Sequence, residues 1–157
     1  MWEIQLKVGN IVTNPELLSS RYDVITAFRF LLNVEAEVRR QVLTKLRSVI
    51  HPQDGRLIVN MHGNRHSLRH PAIVWRRRQE SRRPTGVMLN EMSPHETREL
   101  LSASGFKIEQ QFGFGVLPPT LYRGRIKDFA FRVDQTLSGD WWGKNCCVDL
   151  LYVCRPV

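Results

Sequence analysis

The chain has 157 residues, the length of one domain with room for a buried core. Hydrophobic residues make up 42% and charged residues 24%, a globular mix that excludes a disordered chain. Lys plus Arg is 23 against 15 for Asp plus Glu, a formal net charge of +8. No apolar run approaches the roughly 18 residues of a membrane span. Met1-Trp2-Glu3-Ile4 shows no basic region leading into a long apolar stretch, so no signal peptide is expected. The expected compartment is the cytoplasm, with no membrane partner.

Ile4 to Val8 alternates apolar and polar residues and reads as a strand ended by Gly9-Asn10. Tyr22 to Phe28 is β-branched and largely apolar, and reads as a second strand buried on both faces. Val34, Val38, Val42, Leu46 and Val49 recur at helical spacing, with acids early and bases late, as the helix dipole favours. His51-Pro52-Gln53-Asp54-Gly55 stops that helix. Arg56 to Met61 reads as another buried strand. Ser93-Pro94-His95-Glu96 is a capping box with proline at the first helical position, and Gly105 is placed to close the helix in the left-handed conformation. Phe106 to Phe114 reads as a strand, Ile126, Phe129, Val133 and Leu137 as an amphipathic helix, and Cys146 to Cys154 as a final strand.

The charge is concentrated. Arg65 to Arg83 holds seven arginines against the single acid Glu80, a net of +6, with His66 and His70 inside it. Such a run is either a solvated connector or lid, or a platform for a phosphate, carboxylate, nucleic acid or membrane surface. Trp75 could anchor a short helix or stack on a ring. The segment lacks evenly spaced aromatics, so nucleic acid ranks last among its partners. Cys146, Cys147 and Cys154 fall in one late segment without metal-ligand spacing; they read as structural thiols, and no metal is expected.

Strands alternating with helices imply an α/β fold with a mostly parallel sheet, an antiparallel edge strand and helices on both faces. Ligands on such sheets bind at the carboxyl ends of the strands. That rule marks Gly9-Asn10-Ile11, Ala27-Phe28-Arg29-Phe30 and Asn60-Met61-His62-Gly63-Asn64.

Taken in order, Val8-Gly9-Asn10, Tyr22 to Phe28, His51 to Val59 and Ser93 to Phe106 resemble the C-terminal two-thirds of a class I S-adenosylmethionine-dependent methyltransferase, a partial Rossmann-like sheet. The four pieces look like that family's third strand, fourth strand, helix-to-fifth-strand passage and helix into the sixth strand. The resemblance implies S-adenosylmethionine as cofactor, met by Asn10 and Ile11 beside the adenine and by Ala27, Phe28 and Arg29 at the methyl end. It places His62 and His66 as candidate catalytic bases, with Glu91 and His95 near the same mouth. Asn64, Arg65, Arg69 and Arg76 become candidate contacts to an anionic small-molecule acceptor.

The family's glycine-rich cofactor loop and the acid ending its second strand have no counterpart here. Gly113-Phe114-Gly115 comes too late in the chain and does not open a helix. The expectation is one methyltransferase-like domain over residues 1–157, incomplete at its N-terminal side and not competent alone. The alternative is a non-catalytic remnant or assembly module. In the family's sheet order the fourth strand sits beside the missing first, which would leave Tyr22 to Phe28 as an apolar edge. Such an edge either pairs copies of the chain or is covered by Ile4 to Val8.

Overall fold

A computed structural model describes residues 7–18, 20–80, 91–139 and 143–157. Its four strands form one sheet of order β1-β2-β4-β3, with β1 Val24–Ala27, β2 Arg56–His62, β3 Phe106–Phe114 and β4 Asp149–Pro156. β1 and β2 are parallel, and β4 runs antiparallel to both of its neighbours, β2 and β3. Three strands therefore share one direction, as the alternating pattern requires. The antiparallel strand lies one place in from the edge rather than at it, because β3 takes the outer position.

Between the strands run α1 (Ala36–Val49), α2 (His70–Glu80), α3 (Pro94–Ala103) and α4 (Lys127–Gly139). Each boundary has a local cause. The Ser93 hydroxyl accepts from the Glu96 N–H, and the Glu96 carboxylate accepts from the Ser93 N–H, which completes the expected capping box. Gly105 closes α3 at φ +79°, where a side chain would be strained. The Arg47 guanidinium donates to the carbonyls of Gly105 and Val157, tying α1 to both chain segments that end there.

The sheet has two unlike faces. Leu57, Val59 and Met61 of β2 and Leu150, Tyr152 and Cys154 of β4 are each 0% exposed. Val42, Leu43 and Leu46 of α1 and Leu101 of α3 join them in one core cluster. At about 25 cal/mol per Å² of apolar surface, this packing supplies most of the driving force for folding. On the other face, Arg56, Ile58, Asn60, His62, Leu151 and Val153 are only half-buried. The expected helices on both faces are thus unevenly present. α1 and α3 cover one face, while α4 stands beside β3 and walls only the end of the other.

Several expectations change. Tyr22 to Phe28 is not buried on both faces; Val24 is 56% and Phe28 57% exposed, because β1 is the sheet's edge. Arg56 to Met61 is buried on alternate residues only. In α4 the residue at closest approach is Ala130, at 0% exposure, while Ile126 and Phe129 stay in solvent. The final strand starts at Asp149, since Gly143–Cys146 winds into a 3-10 turn first. Residues 4–6 of the first expected strand lie outside the described residues, and Lys7 and Val8 are not in a strand.

The basic run becomes α2 through Glu80; Arg82 and Arg83 lie outside the described residues. α2 is held at its base by Glu91, whose carboxylate accepts from His70 Nε2 at 2.8 Å and from Arg77. Burial pushes Glu91 up, but His70 and Arg77 outweigh it and hold the carboxyl below its ordinary range. Cys147 and Cys154 are fully buried, and burial pushes both thiols up to about 12, so they remain unreactive packing groups. No helix among the described residues is long and apolar enough to cross a membrane.

Candidate functional site

The carboxyl ends of β2 and β3 and the start of β4 meet on the half-open face. Cross-strand register sets His62 opposite Asp149 and Asp149 opposite Phe114, giving one row across β2, β4 and β3. The period of two along each strand brings these side chains to the face opposite the core. Beside the row lies a cleft of about 620 Å³ lined by Phe114, Gly115, Tyr122, Phe131, Asp134, Gln135 and Asp149.

The aromatic wall is built by α4 and the loop before it. Tyr122 and Phe131 meet edge to face, with ring centroids 5.6 Å apart. Phe114 is 45% and Phe131 54% exposed, so their rings are presented rather than packed. Asp134 fixes the wall by accepting from the backbone N–H groups of Gly115 and Val116, each at 3.1 Å. Gly115 sits at φ +78°, a turn that glycine makes without strain. The Tyr122 hydroxyl accepts from the Leu117 N–H at 3.1 Å. Burial, then Asp134, pushes the Tyr122 hydroxyl up.

Asp149 stands where the row meets the cleft. Burial pushes its carboxyl above the ordinary range, against the pull of His62, Arg69 and Arg29 nearby. His62 Nδ1 is buried without a hydrogen-bond partner among the described residues. The Ser67 and Tyr152 hydroxyls are likewise buried without a partner among the described residues. Arg29 is a non-glycine residue at φ +55°, held by its N–H donating to Asn60 Oδ1 at 2.6 Å and its carbonyl accepting from Asn33 Nδ2 at 2.5 Å. Such held backbone strain concentrates at functional sites. Arg69 Nη1 donates to the Gly115 carbonyl at 3.5 Å, joining the basic segment to the cleft loop.

Of the residues singled out from sequence, His62 stands across from Asp149, and it, Arg69 and Arg29 lie near enough to pull the Asp149 carboxyl down. The others are placed apart. Asn64 is 1% exposed, and its Nδ2 donates to the carbonyls of Asn145 and Cys147, so no amide hydrogen is left to offer. His66 is an exposed turn residue whose N–H donates to Asn64 Oδ1. Arg65 pairs with Glu96 at 2.5 Å, and Arg76 is exposed on α2. Glu91 is engaged by His70 and Arg77, and His95 by Glu99 one turn on along α3.

The cofactor candidates form less than a site. The Asn10 side chain accepts from the Val12 N–H at 2.9 Å, an Asx turn that engages the oxygen expected to face an adenine amine. Ile11 and Ala27 are partly buried against the core. Phe28 is exposed beyond the end of β1. Among the described residues no glycine turn follows a strand and opens a helix to cradle a nucleoside. These residues alone do not make a nucleoside cradle.

Tyr122, Phe131, Asp134 and Asp149 were not singled out from sequence. The signal for Asp149 was present: in Asp149-Leu150-Leu151-Tyr152-Val153-Cys154, period-two burial of Leu150, Tyr152 and Cys154 turns Asp149 to the other face.

No protein-family model matches the sequence, and no curated protein does either. Solved structures do match. A methyltransferase of the S-adenosylmethionine-dependent kind from Methanosarcina mazei superposes with TM-score 0.59 at 14% identity, over 96% of this chain and 66% of that one. The riboflavin-derivative dimethyltransferase RosA from Streptomyces davawensis gives TM-score 0.56 at 12% identity, over 96% of this chain and 34% of that one. The pyocyanin biosynthetic protein PhzM gives TM-score 0.53 at 14% identity, over 90% of this chain and 33% of that one. The chain thus spans about a third of the length of PhzM and RosA. Its fold is that of the S-adenosylmethionine-dependent methyltransferases, as the ordered sequence pieces imply.

Proposed function

We propose that the chain is the acceptor-side portion of an S-adenosylmethionine-dependent methyltransferase. The observation that carries this reading is the row His62–Asp149–Phe114 beside an aromatic cleft, at the strand ends where such sheets bind ligands. In this reading the cleft orients the acceptor, and placement supplies much of the rate. Where the acceptor group bears a proton, the Asp149 carboxylate on the cleft wall takes it, with His62 across the strand pair. A raised carboxyl suits that task, since a base works best with its pKa near the working pH. His62, Arg69 and Arg29 pull that carboxyl back toward its ordinary range.

The donor site is completed by a further polypeptide segment that adds to the open edge of β1 and covers the half-open face. Supporting this are the exposure of Val24 and Phe28 and the apolar Ile58, Leu151 and Val153 left half-buried behind them. Without that segment, two copies of the chain pair through the same edge.

Titration calorimetry with S-adenosylhomocysteine tests the reading, on this chain alone and on the polypeptide or complex in which it occurs in the cell. One saturable site in the latter and none in the former is the expected pair of results. No site in either would reduce the chain to an assembly module and overturn the assignment.

A further inference from the structure

The cleft's own chemistry narrows what it accepts. Its described charged lining residues, Asp134 and Asp149, are both acidic. The two are not equivalent. Both oxygens of Asp134 are engaged by the Gly115 and Val116 N–H groups, so it is part of the wall. The Asp149 side chain has no hydrogen-bond partner among the described residues, and its cross-strand neighbour His62 keeps Nδ1 buried and unpaired. Arg65 pairs with Glu96, and neither Arg69 nor Arg29 lines the cleft, although both lie near enough to Asp149 to offset part of its charge. A carboxylate or phosphate entering here would meet a fixed acid with no arginine fork lining the cleft to grip it.

The remaining walls are the rings of Phe114, Tyr122 and Phe131, whose faces and edges suit a flat, apolar body. We infer that the cleft binds a planar aromatic molecule through a hydroxyl or amine hydrogen directed at Asp149, and that it rejects aromatic carboxylates. This rests on the acceptor-side reading above and reverses the polarity of acceptor that the arginine run suggests. Asp149 is then the specificity-determining residue: it accepts the donor hydrogen of the ligand, and its charge turns anions away. The ring wall contributes affinity without discriminating among substituents.

Three naphthalenes of equal ring size separate the contributions: 2-naphthol, 2-methoxynaphthalene and 2-naphthoate. Binding to the chain is followed by heteronuclear NMR, with the Gly115 and Val116 amides reporting on the cleft. We expect 2-naphthol to shift those amides and to bind about tenfold more tightly than 2-methoxynaphthalene, the value of one hydrogen bond to a charged acceptor. We expect 2-naphthoate to bind at least about tenfold more weakly than 2-naphthol. In Asp149→Asn, checked for an unchanged thermal transition, the penalty on 2-naphthoate shrinks. The inference is overturned if 2-naphthoate binds as tightly as 2-naphthol to the unaltered chain, or if the shifted amides lie away from the cleft. The unaltered chain answers both questions even where the variant does not fold. Titration with S-adenosylhomocysteine stays independent. A cleft that selects donors in a complex that binds no donor nucleoside would sink the methyltransferase reading and leave this inference standing.

Discussion

The two faces of the sheet are made by the same strands and behave as different materials. Leu57 and Ile58 are neighbours in β2, yet Leu57 is fully buried under α1 and α3 while Ile58 is only half-buried. The covered face has all its partners within the chain, so its residues are fixed by packing density. On the half-open face, apolar Ile58, Leu151 and Val153 lie between a charged end, where Glu109 bridges Arg56 and Arg155, and the His62–Asp149 end beside the cleft. Glu109 is the extra residue of a bulge in β3, which turns its carboxylate toward both arginines. The packed core lies on one face of this sheet, and the candidate site on the other.

Substitutions break that comparison most sharply. Leu57→Ala should cost about 3 kcal/mol in urea unfolding, by lost transfer energy and the cavity left behind. Ile58→Ala, one residue along, should cost about 1 kcal/mol, since its surroundings are half open. Equal losses at the two positions would mean that the second face is as fully packed as the first.

Asn64→Ala tests the joint between β2 and the turn before β4. It removes both donors to the Asn145 and Cys147 carbonyls and should cost about 2 kcal/mol in the same measurement. A loss of ligand binding without a loss of stability would instead return Asn64 to the binding residues.

Acid should loosen α2 before the core. The Glu91 carboxyl is held below its ordinary range in the folded protein, so its stabilisation is fully present above the unfolded carboxylate value. It declines as pH falls through that value and is gone below the lowered folded one. Amide exchange across His70–Glu80 should therefore accelerate with acid relative to that of β2 and β4, once the intrinsic pH dependence is removed. Uniform acceleration would show that α2 does not depend on Glu91.

The smallest effect on stability belongs to Val24→Lys at the open edge. It should change unfolding by less than about 0.5 kcal/mol, as exposed substitutions do. Sedimentation should nonetheless show weaker self-association, because a charge on an edge strand opposes pairing. An unchanged sedimentation profile would remove the edge as an association surface.

Much of the fold was legible because its signals are local. The Ser93–Glu96 box, Gly105 and the spacing of Val42, Leu46 and Val49 each act within a turn or two. The burial of β1 was misread because apolar composition does not say how many faces are covered; that depends on which strands and helices are present beside it. Near the candidate site, His62 and Arg29 follow from the rule that ligands meet strand ends, and Arg69 from the basic run. Asp149 and the aromatic wall do not, because β4 arrives antiparallel and brings its beginning, not its end, to the same place. Asn64 follows from the same rule and Arg65 from the basic run, but the Asn64 amide is spent on two buried carbonyls and Arg65 on a surface pair with Glu96.

One titration bears on the whole account most directly: S-adenosylhomocysteine into this chain by itself, by calorimetry. A nucleoside donor needs a cradle that Asn10, Ile11, Ala27, Phe28 and Arg29 do not complete, so the account predicts no saturable heat. A stoichiometric, micromolar site in the lone chain would contradict it, because the donor half would then be here already.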